Sequence, residues 1–414
     1  MRFGLLIATG LLMATGWADT TSRLGMEDAV STALAKHPTL VQYQEAVKQA
    51  KYQLVMQKSA YLPQVNVKAQ YSKGKTEDYP SEDSYTGYVT GTQFLFDFGK
   101  TPALVKQYAK AVDEKKLALT AAEIDIIYNV KAAYLNALKA KQQLEIAKET
   151  KESAKLHLKL AMGFYEVGKV ARLDVSKAEV EVANAELALV TAENDYRLAQ
   201  TSLINTMGLD VSQQQTLELV DTQYQKEATP VGTLLEEAVN NRPDYKAYKV
   251  KREEYKAAVL EARLGHVPTV SMFVTGYSTG NGFPLTETGT AGVGVEMPLF
   301  NGFQTEANLR RVQSGAKGLQ AEEKKALQDL QLEVTNYYLL IQSEQEKMVA
   351  AEKLVKQAEE SLKLATGRYE NGLGTMLDVT DAQVSYTDAR VSLAQVIYDY
   401  QIDCARLYKA LGRK

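Results

Sequence analysis

One cysteine, Cys404, and three histidines, His37, His157 and His266, are all the thiol and imidazole chemistry in this chain of 414 residues. A single cysteine excludes any disulfide within the chain. Three histidines spread over separate helical or strand-edge segments read as ordinary surface residues and, with one cysteine, leave little material for metal or nucleophilic chemistry. Also missing are a P-loop, a glycine-rich dinucleotide turn and a nucleophile elbow. No catalytic, cofactor-binding or metal-binding residue is therefore assigned, and an enzyme is not expected. Charge of one sign is lacking too: 48 basic residues face 51 acidic ones, which gives no field for nucleic acid. Long apolar runs are absent except at the start, where Phe3 to about Thr15 follows Met1-Arg2. A bilayer span needs roughly 20 apolar residues, so this stretch is too short. Its small-x-small exit, Gly16-Trp17-Ala18, predicts a secretory signal peptide over 1–18. No cysteine follows it to carry a lipid, so an exported, unlipidated chain with no transmembrane helix is expected.

What is present is a repetition. At an offset of about 204 residues, His37-Pro38 answers Arg242-Pro243 and Pro63-Gln64-Val65 answers Pro268-Thr269-Val270. Leu95-Phe96-Asp97 answers Leu299-Phe300-Asn301, and Tyr165-Glu166-Val167-Gly168 answers Tyr369-Glu370-Asn371-Gly372. Leu173-Asp174-Val175 answers Leu377-Asp378-Val379, and Met207-Gly208 answers Leu411-Gly412. So many matches in one order make the chain a tandem duplication, with repeats at 19–208 and 234–414. The polar stretch 209–233, holding Pro230, separates them and is expected to form a collar of structural filler around the middle of the helical part.

Each repeat follows one plan. A helix (39–62 in the first half) ends at a proline, two strand-like segments follow, and long runs without glycine or proline come after. The first such run, 103–162, predicts a helix about 90 Å long at 1.5 Å per residue. A break at 163–170 leads to a further helical run up to Met207, and 367–374 is the matching break in the second half. The two shorter helices together nearly equal the long one, which suggests a wall of long helices and butted pairs. Ile127, Val130, Tyr134 and Leu138 recur at steps of three and four, as helix-to-helix contacts require. A periplasmic coiled-coil adaptor or scaffold accounts for these helices equally well.

The strands separate the two readings. Val65, Val67, Ala69 and Tyr71 alternate with Gln64, Asn66, Lys68, Gln70 and Ser72, and Ala291, Val293, Val295 and Met297 repeat the pattern against Gly292, Gly294 and Glu296. Alternation of this kind suits a strand between an apolar and a polar environment, either a four-stranded sheet of a soluble domain or a wall between lipid and water. With the signal peptide and a hairpin between long helices in both halves, Val65, Val67, Ala69, Tyr71, Val293 and Val295 are assigned to lipid. The hairpins, 64–97 and 269–300, carry polar loops at Gly74–Ser84 and Ser278–Glu287. Four strands do not close a membrane barrel, which starts at about 8. An open edge does not survive in lipid either. Three copies would supply twelve strands.

Duplicated helix–hairpin–long helix–turn–helix halves, with Pro63 and Pro268 opening the strands, resemble the TolC-like outer membrane efflux proteins. Leu95-Phe96-Asp97-Phe98-Gly99 and Met297-Pro298-Leu299-Phe300-Asn301-Gly302-Phe303 are similar to that family's strand-to-helix exits. The resemblance implies a mainly α fold with a membrane β part. A homotrimer would join a 12-stranded barrel in the outer membrane of a Gram-negative cell to a tunnel of long helices in the periplasm. It implies an exit duct of a tripartite efflux or type I secretion system, passing small molecules or proteins. Its partners would be a periplasmic adaptor (membrane fusion protein), an inner-membrane pump and outer-membrane lipid. The two turns would form the adaptor-gripping tip, through Val167, Gly168, Gly372 and Leu373.

Asp378 and Asp381 lie i, i+3 on one helix face, and in a threefold assembly would set six carboxylates around an opening. Carboxylates in a first helical turn also arise simply because they suit the helix dipole. Leu377-Asp378-Val379-Thr380-Asp381-Ala382 matches the family's aperture motif, whereas the first half keeps Asp174 but has Lys177 at the second position. The resemblance further places Asp174 and Tyr369 in links that restrain the closed tip. Gly374 stands where the basic partner belongs, leaving Arg172 or Lys169 as the nearby cations.

Overall fold

In the computed structural model the described residues are 22–76, 79–210, 217–220 and 229–414. The expected signal peptide, 1–18, lies outside them, as do 77–78 at the first hairpin loop and much of 209–233.

The first half runs β1 (Ser22–Leu24), α1 (Met26–Lys36), α2 (Pro38–Lys58), β2 (Gln64–Thr76), β3 (Tyr79–Phe96), α3 (Lys100–Glu166) and α4 (Arg172–Thr206). After β4 (Leu217–Leu219) the second half follows with α5 (Val231–Asn241), α6 (Pro243–Arg263), β5 (Thr269–Gly280), β6 (Thr286–Glu296), α7 (Gln304–Glu370) and α8 (Met376–Ala410). The duplication extends to the residue. Both halves carry helices of 11, 21, 67 and 35 residues, in that order.

Local chemistry explains the repeated motifs. Pro38 and Pro243 occupy the first turns of α2 and α6, where a missing N–H costs nothing. His37 caps α2, its Nδ1 accepting from the Thr39 amide at 3.2 Å. Gly168 and Gly372 close α3 and α7 with φ of +74° and +73°, a left-handed backbone that glycine adopts without penalty. In both turns the next residue's N–H reaches back to the helix: Lys169 to the Phe164 carbonyl and Leu373 to the Arg368 carbonyl, each at 2.8 Å. The Asp97 carboxylate accepts from the Thr101 amide at 2.7 Å, and Asn301 serves Thr305 in the same way.

Several expected boundaries shift. Gly163 does not interrupt α3, which runs on to Glu166, because one glycine inside a long helix costs only about 1 kcal/mol. The expected helix 39–62 ends at Lys58, and Ser59–Tyr61 tighten into a 3₁₀ turn. The two shorter helices of each half are therefore 21 and 35 residues, together 56, against 67 for the long one, so the expected near-equality does not hold. The polar loops shrink too. β2 and β3 extend through most of Gly74–Ser84, and β5 and β6 leave only 281–285 between them, because Thr, Ser and Tyr pair readily across a ladder. Helices α1 and α5 were not singled out in the sequence.

The four long strands form one antiparallel sheet ordered β2-β3-β5-β6, and β1 pairs in parallel with β4. The chain divides into two compact units. Among the described residues one holds 22–35, 130–210, 217–220 and 355–398, and so carries both helix turns; the other holds 36–76, 79–129, 229–354 and 399–414, and so carries the four-stranded sheet. In the first unit the buried Tyr134 hydroxyl accepts from the Val220 amide at 2.9 Å and lies 2.8 Å from the Leu24 carbonyl. That fastens the β1/β4 ladder to α3. Ile127, Val130, Tyr134 and Leu138 are all buried, as their spacing predicts. No helix among the described residues is long and apolar enough to cross a membrane.

Candidate functional site

The register of the sheet sorts its side chains into two faces. Val65 pairs with Gly91, Gly91 with Val274, and Val274 with Ala291. Val67 pairs with Val89, Tyr71 with Tyr85, Met272 with Val293, and Val270 with Val295. Facing residues in an antiparallel pair project to the same side. The two apolar stripes expected from sequence, Val65, Val67, Ala69 and Tyr71 with Val293 and Val295, thus lie on one face of a single sheet. Val67 is 75% exposed and Val295 68%. The opposite face presents Asn66, Lys68, Gln70, Thr90, Thr275 and Thr290. Tyr88 and Tyr277 also sit there, rings 4.9 Å apart. On the same face Phe273 covers Gly292, where an added Cβ would come within 2.9 Å of the ring. The first side is mostly valine, alanine and glycine, with Gln93 and the Tyr71–Tyr85 pair; the second is mostly hydroxyl, amide and phenol, with Lys68 and Phe273.

Outer edges of β2 and β6 have no strand partner among the described residues. At the strand-to-helix exits the exposed aromatics stand in pairs, Phe96 with Phe98 at 4.8 Å and Phe300 with Phe303 at 5.4 Å. Girdles of aromatic residues flank the apolar band of membrane barrels at its boundary.

In the other unit the turn residues named from sequence, Val167, Gly168, Gly372 and Leu373, are all exposed, Leu373 at 72%. Asp378 and Asp381 are exposed on α8. Asp378 is engaged locally: its Oδ2 accepts from the Thr375 amide at 2.8 Å and from the Thr375 hydroxyl at 3.0 Å. Thr375 returns the bond to the Asp378 amide, which makes a capping box, legible in the sequence as Thr-x-x-Asp and missed there. These bonds from Thr375, with a smaller pull from Arg368, hold the Asp378 carboxyl below the usual range. Arg368 was not anticipated either; its guanidinium donates to the Leu373 carbonyl at 3.2 Å.

Tyr369 is placed in the apolar centre of the tip, 2% exposed, among Ala161, Val175, Ala178, Met376 and Val379. Phe164 lies 5.7 Å from its ring. Burial, and then the nearby charge of Asp174, push its phenol up, yet its hydroxyl makes no hydrogen bond. Lys169 lies over the Phe164 ring at 5.4 Å and Arg172 reaches Glu179 at 3.3 Å, so the two cations near Gly374 turn to other partners.

The histidines correct the reading of idle surface residues. His37 is a helix cap. His266 bonds the Pro298 carbonyl at 2.8 Å and Glu306 at 3.1 Å. His157 is 8% exposed and pairs with an equally buried Glu181. No group of three or more histidines, cysteines or acids that could hold a metal occurs among the described residues.

A sheet with one lipid-suited face, interrupting duplicated long helices, defines a channel subunit of the outer membrane. The chain belongs to the outer membrane efflux protein family, whose profile matches residues 29–209 and 234–413, one match per half. It is 23% identical to the outer membrane protein TolC of Vibrio cholerae over 418 residues, covering 98% of this chain and 93% of that one. Against TolC of Escherichia coli the figures are 24% identity, 86% and 75%. Among solved structures, the outer membrane protein VceC of Vibrio cholerae superposes with a TM-score of 0.80 at 22% identity, covering 94% of this chain and 96% of that one. CusC superposes with a TM-score of 0.84 at 20% identity, covering 94% and 92%. The protein is an outer-membrane efflux channel.

Proposed function

We propose that three copies of this chain close their sheets into one twelve-stranded barrel and act as the exit duct of a tripartite efflux or secretion system. The observation that carries this is the open sheet with one apolar face. In hydrocarbon each unpaired backbone N–H or C=O costs several kcal/mol, so the edges of β2 and β6 require strand partners. A second copy supplying β6 to β2, and a third closing the ring, satisfy every edge with no new fold.

The exposed turns around Val167-Gly168 and Gly372-Leu373 are then the surface offered to a periplasmic adaptor, which couples the duct to an inner-membrane pump. Asp378 and Asp381 from three chains make the aperture, a cation-favouring constriction. Asp378 serves the α8 cap and the ring together, and Asp381 supplies the carboxylate that no local cap engages. The Tyr369 ring packs the tip from inside, and the half-buried Asp174 sets the charge beside it. A periplasmic scaffold has no use for an exposed face of valines. The test is extraction and mass: detergent-purified protein should run as a trimer and form pores in a planar bilayer. A monomer that stays in plain buffer contradicts the assignment.

A further inference from the structure

The two outer strands of the sheet end in opposite charge. On the face that carries the valines, β2 runs Val65, Val67, Ala69 and Tyr71 and then turns basic at Lys73 and Lys75. On the same face β6 runs Val295, Val293, Ala291 and Gly289 and ends in Glu287. Lys75 and Glu287 are exposed, and neither has an ion-pair partner among the described residues; Lys73 lies 3.5 Å from Asp83 on β3. Within one copy these charges stay apart. Ala69 pairs with Gly87, Gly87 with Ser278, and Ser278 with Glu287. Glu287 is thus three strand spacings, about 14 Å, from Ala69 and farther from the lysines.

We propose that Glu287 is the register pin of the seam between copies, meeting Lys73 and Lys75 on β2 of the next copy; this rests on the barrel reading above. Two independent arguments give the offset. A membrane barrel tilts its strands by about 35–45°. A row crossing four strands spaced about 4.8 Å apart is then displaced about 13–19 Å along the strand, or about four to six residues at 3.3 Å each. The strand ends ask for the same offset. In one sheet Gln64 stands level with Thr92, Phe273 and Gly292. At that level the end of β6, 293–296, would run past the start of β2. All 11 residues of β6 find partners within Gln64–Thr76 when β6 is moved toward Thr76 by about four to six residues, one copy against the next.

Side-chain alternation then leaves an even offset, because an odd one would turn the valines of one strand to the other face. An offset of four sets Glu287 opposite Lys73, and an offset of six sets it opposite Lys75. In either case the second lysine is the diagonal neighbour, within reach of a long side chain. Volumes agree as well. At both offsets the Tyr71 ring meets Gly289 and Ala291, one directly and one diagonally, and these small residues leave it room. The charges add what the valines lack. Apolar alternation tolerates any even slip, whereas a slip to an offset of two would set the Glu287 carboxylate against Tyr71 and carry it toward the apolar band.

Thiol cross-linking of the full chain in detergent tests the register. Cys404 is the free cysteine, so Cys404→Ala supplies the background. Glu287→Cys is combined in turn with Lys73→Cys, Lys75→Cys and Ala69→Cys, oxidised, and resolved without reductant. Facing residues of adjacent strands bring their Cα atoms within the roughly 4.4–6.8 Å that a disulfide needs. Covalent dimers and trimers should form with Lys73→Cys or Lys75→Cys, at about tenfold or more the yield with Ala69→Cys, which Glu287 would face at zero offset. No excess at either lysine, in protein that is trimeric by mass, overturns this register and leaves the barrel standing. A monomer by mass overturns both. The charge is tested separately. Glu287→Lys should speed dissociation of the trimer in SDS about fivefold, and should have no effect once Lys73→Gln and Lys75→Gln are present. An unchanged rate in Glu287→Lys, or a fivefold effect that persists without the lysines, overturns the pairing.

Discussion

Removing one oxygen atom from Tyr369 should tighten the tip. The side chain is almost fully enclosed by Ala161, Val175, Met376 and Val379, and its hydroxyl has no hydrogen-bond partner. A buried polar group without a partner costs about 1–3 kcal/mol, and Tyr369→Phe relieves that cost while keeping the ring against Phe164. Taking the lower end, about 1 kcal/mol, local opening of the tip should fall about fivefold. Tyr369→Ala should do the reverse, losing about 3–5 kcal/mol with the ring's packing. Hydrogen exchange of the peptides around 369–384 reads both changes directly. If Tyr369→Phe instead opens the tip severalfold, the hydroxyl has a partner, and the placement of Tyr369 as a core residue is wrong. Asp174→Asn adds an internal check, because the phenol is raised first by burial and second by that charge. Its pKa should come down only in part.

Three further outcomes follow from other parts of the molecule. Thr375→Ala removes the capping box and should raise exchange over 376–379 about fivefold, with the pores themselves retained. Alanine at both Asp378 and Asp381 should weaken block by multivalent cations in bilayer recordings; unchanged block would remove the carboxylate ring. His266 contacts two acceptors, so satisfying both requires the imidazolium form. Its pKa is raised, first by the Pro298 carbonyl and then by Glu306, so its contribution holds at low pH and is lost as pH rises through the folded value. Glu306 is lowered, first by its own backbone amide and then by His266, so its contribution is lost only as pH falls through that lowered value. The junction of β6 with α7 should thus be firmest in mildly acidic buffer, and His266→Gln should flatten that dependence in exchange over residues 298–306.

Much of the architecture was written in the spacing of residues. The duplication could be seen because Gly168 and Gly372 are needed for a left-handed turn, and Pro38 and Pro243 for a helix start. The membrane face could be seen because strand alternation has a period of two. That both apolar stripes share one face required the pairing of Val65 with Gly91, Val274 and Ala291, which no single segment encodes. Boundaries moved where one signal was weighed alone. Gly163 was read as a break although a glycine within a helix costs only about 1 kcal/mol, less than 67 residues of helix can absorb. The 11-residue α1 and α5 were too short for their periodicity to stand out. His157 and Glu181 are 24 residues apart on separate helices, so only packing could reveal that they meet.

A barrel requires the sheet to have one side in lipid and the other in water. Spin labels placed singly at Asn66, Val67, Lys68, Ala69, Ala291, Gly292 and Val293, in protein reconstituted into liposomes, measure this residue by residue. Collision rates with oxygen, which concentrates in hydrocarbon, are compared with those of a water-soluble nickel complex. Positions 67, 69, 291 and 293 should favour oxygen, and 66, 68 and 292 the nickel complex, in strict alternation along both strands. Uniform access by the nickel complex at all seven would show a sheet wet on both sides, and the barrel would have to be abandoned.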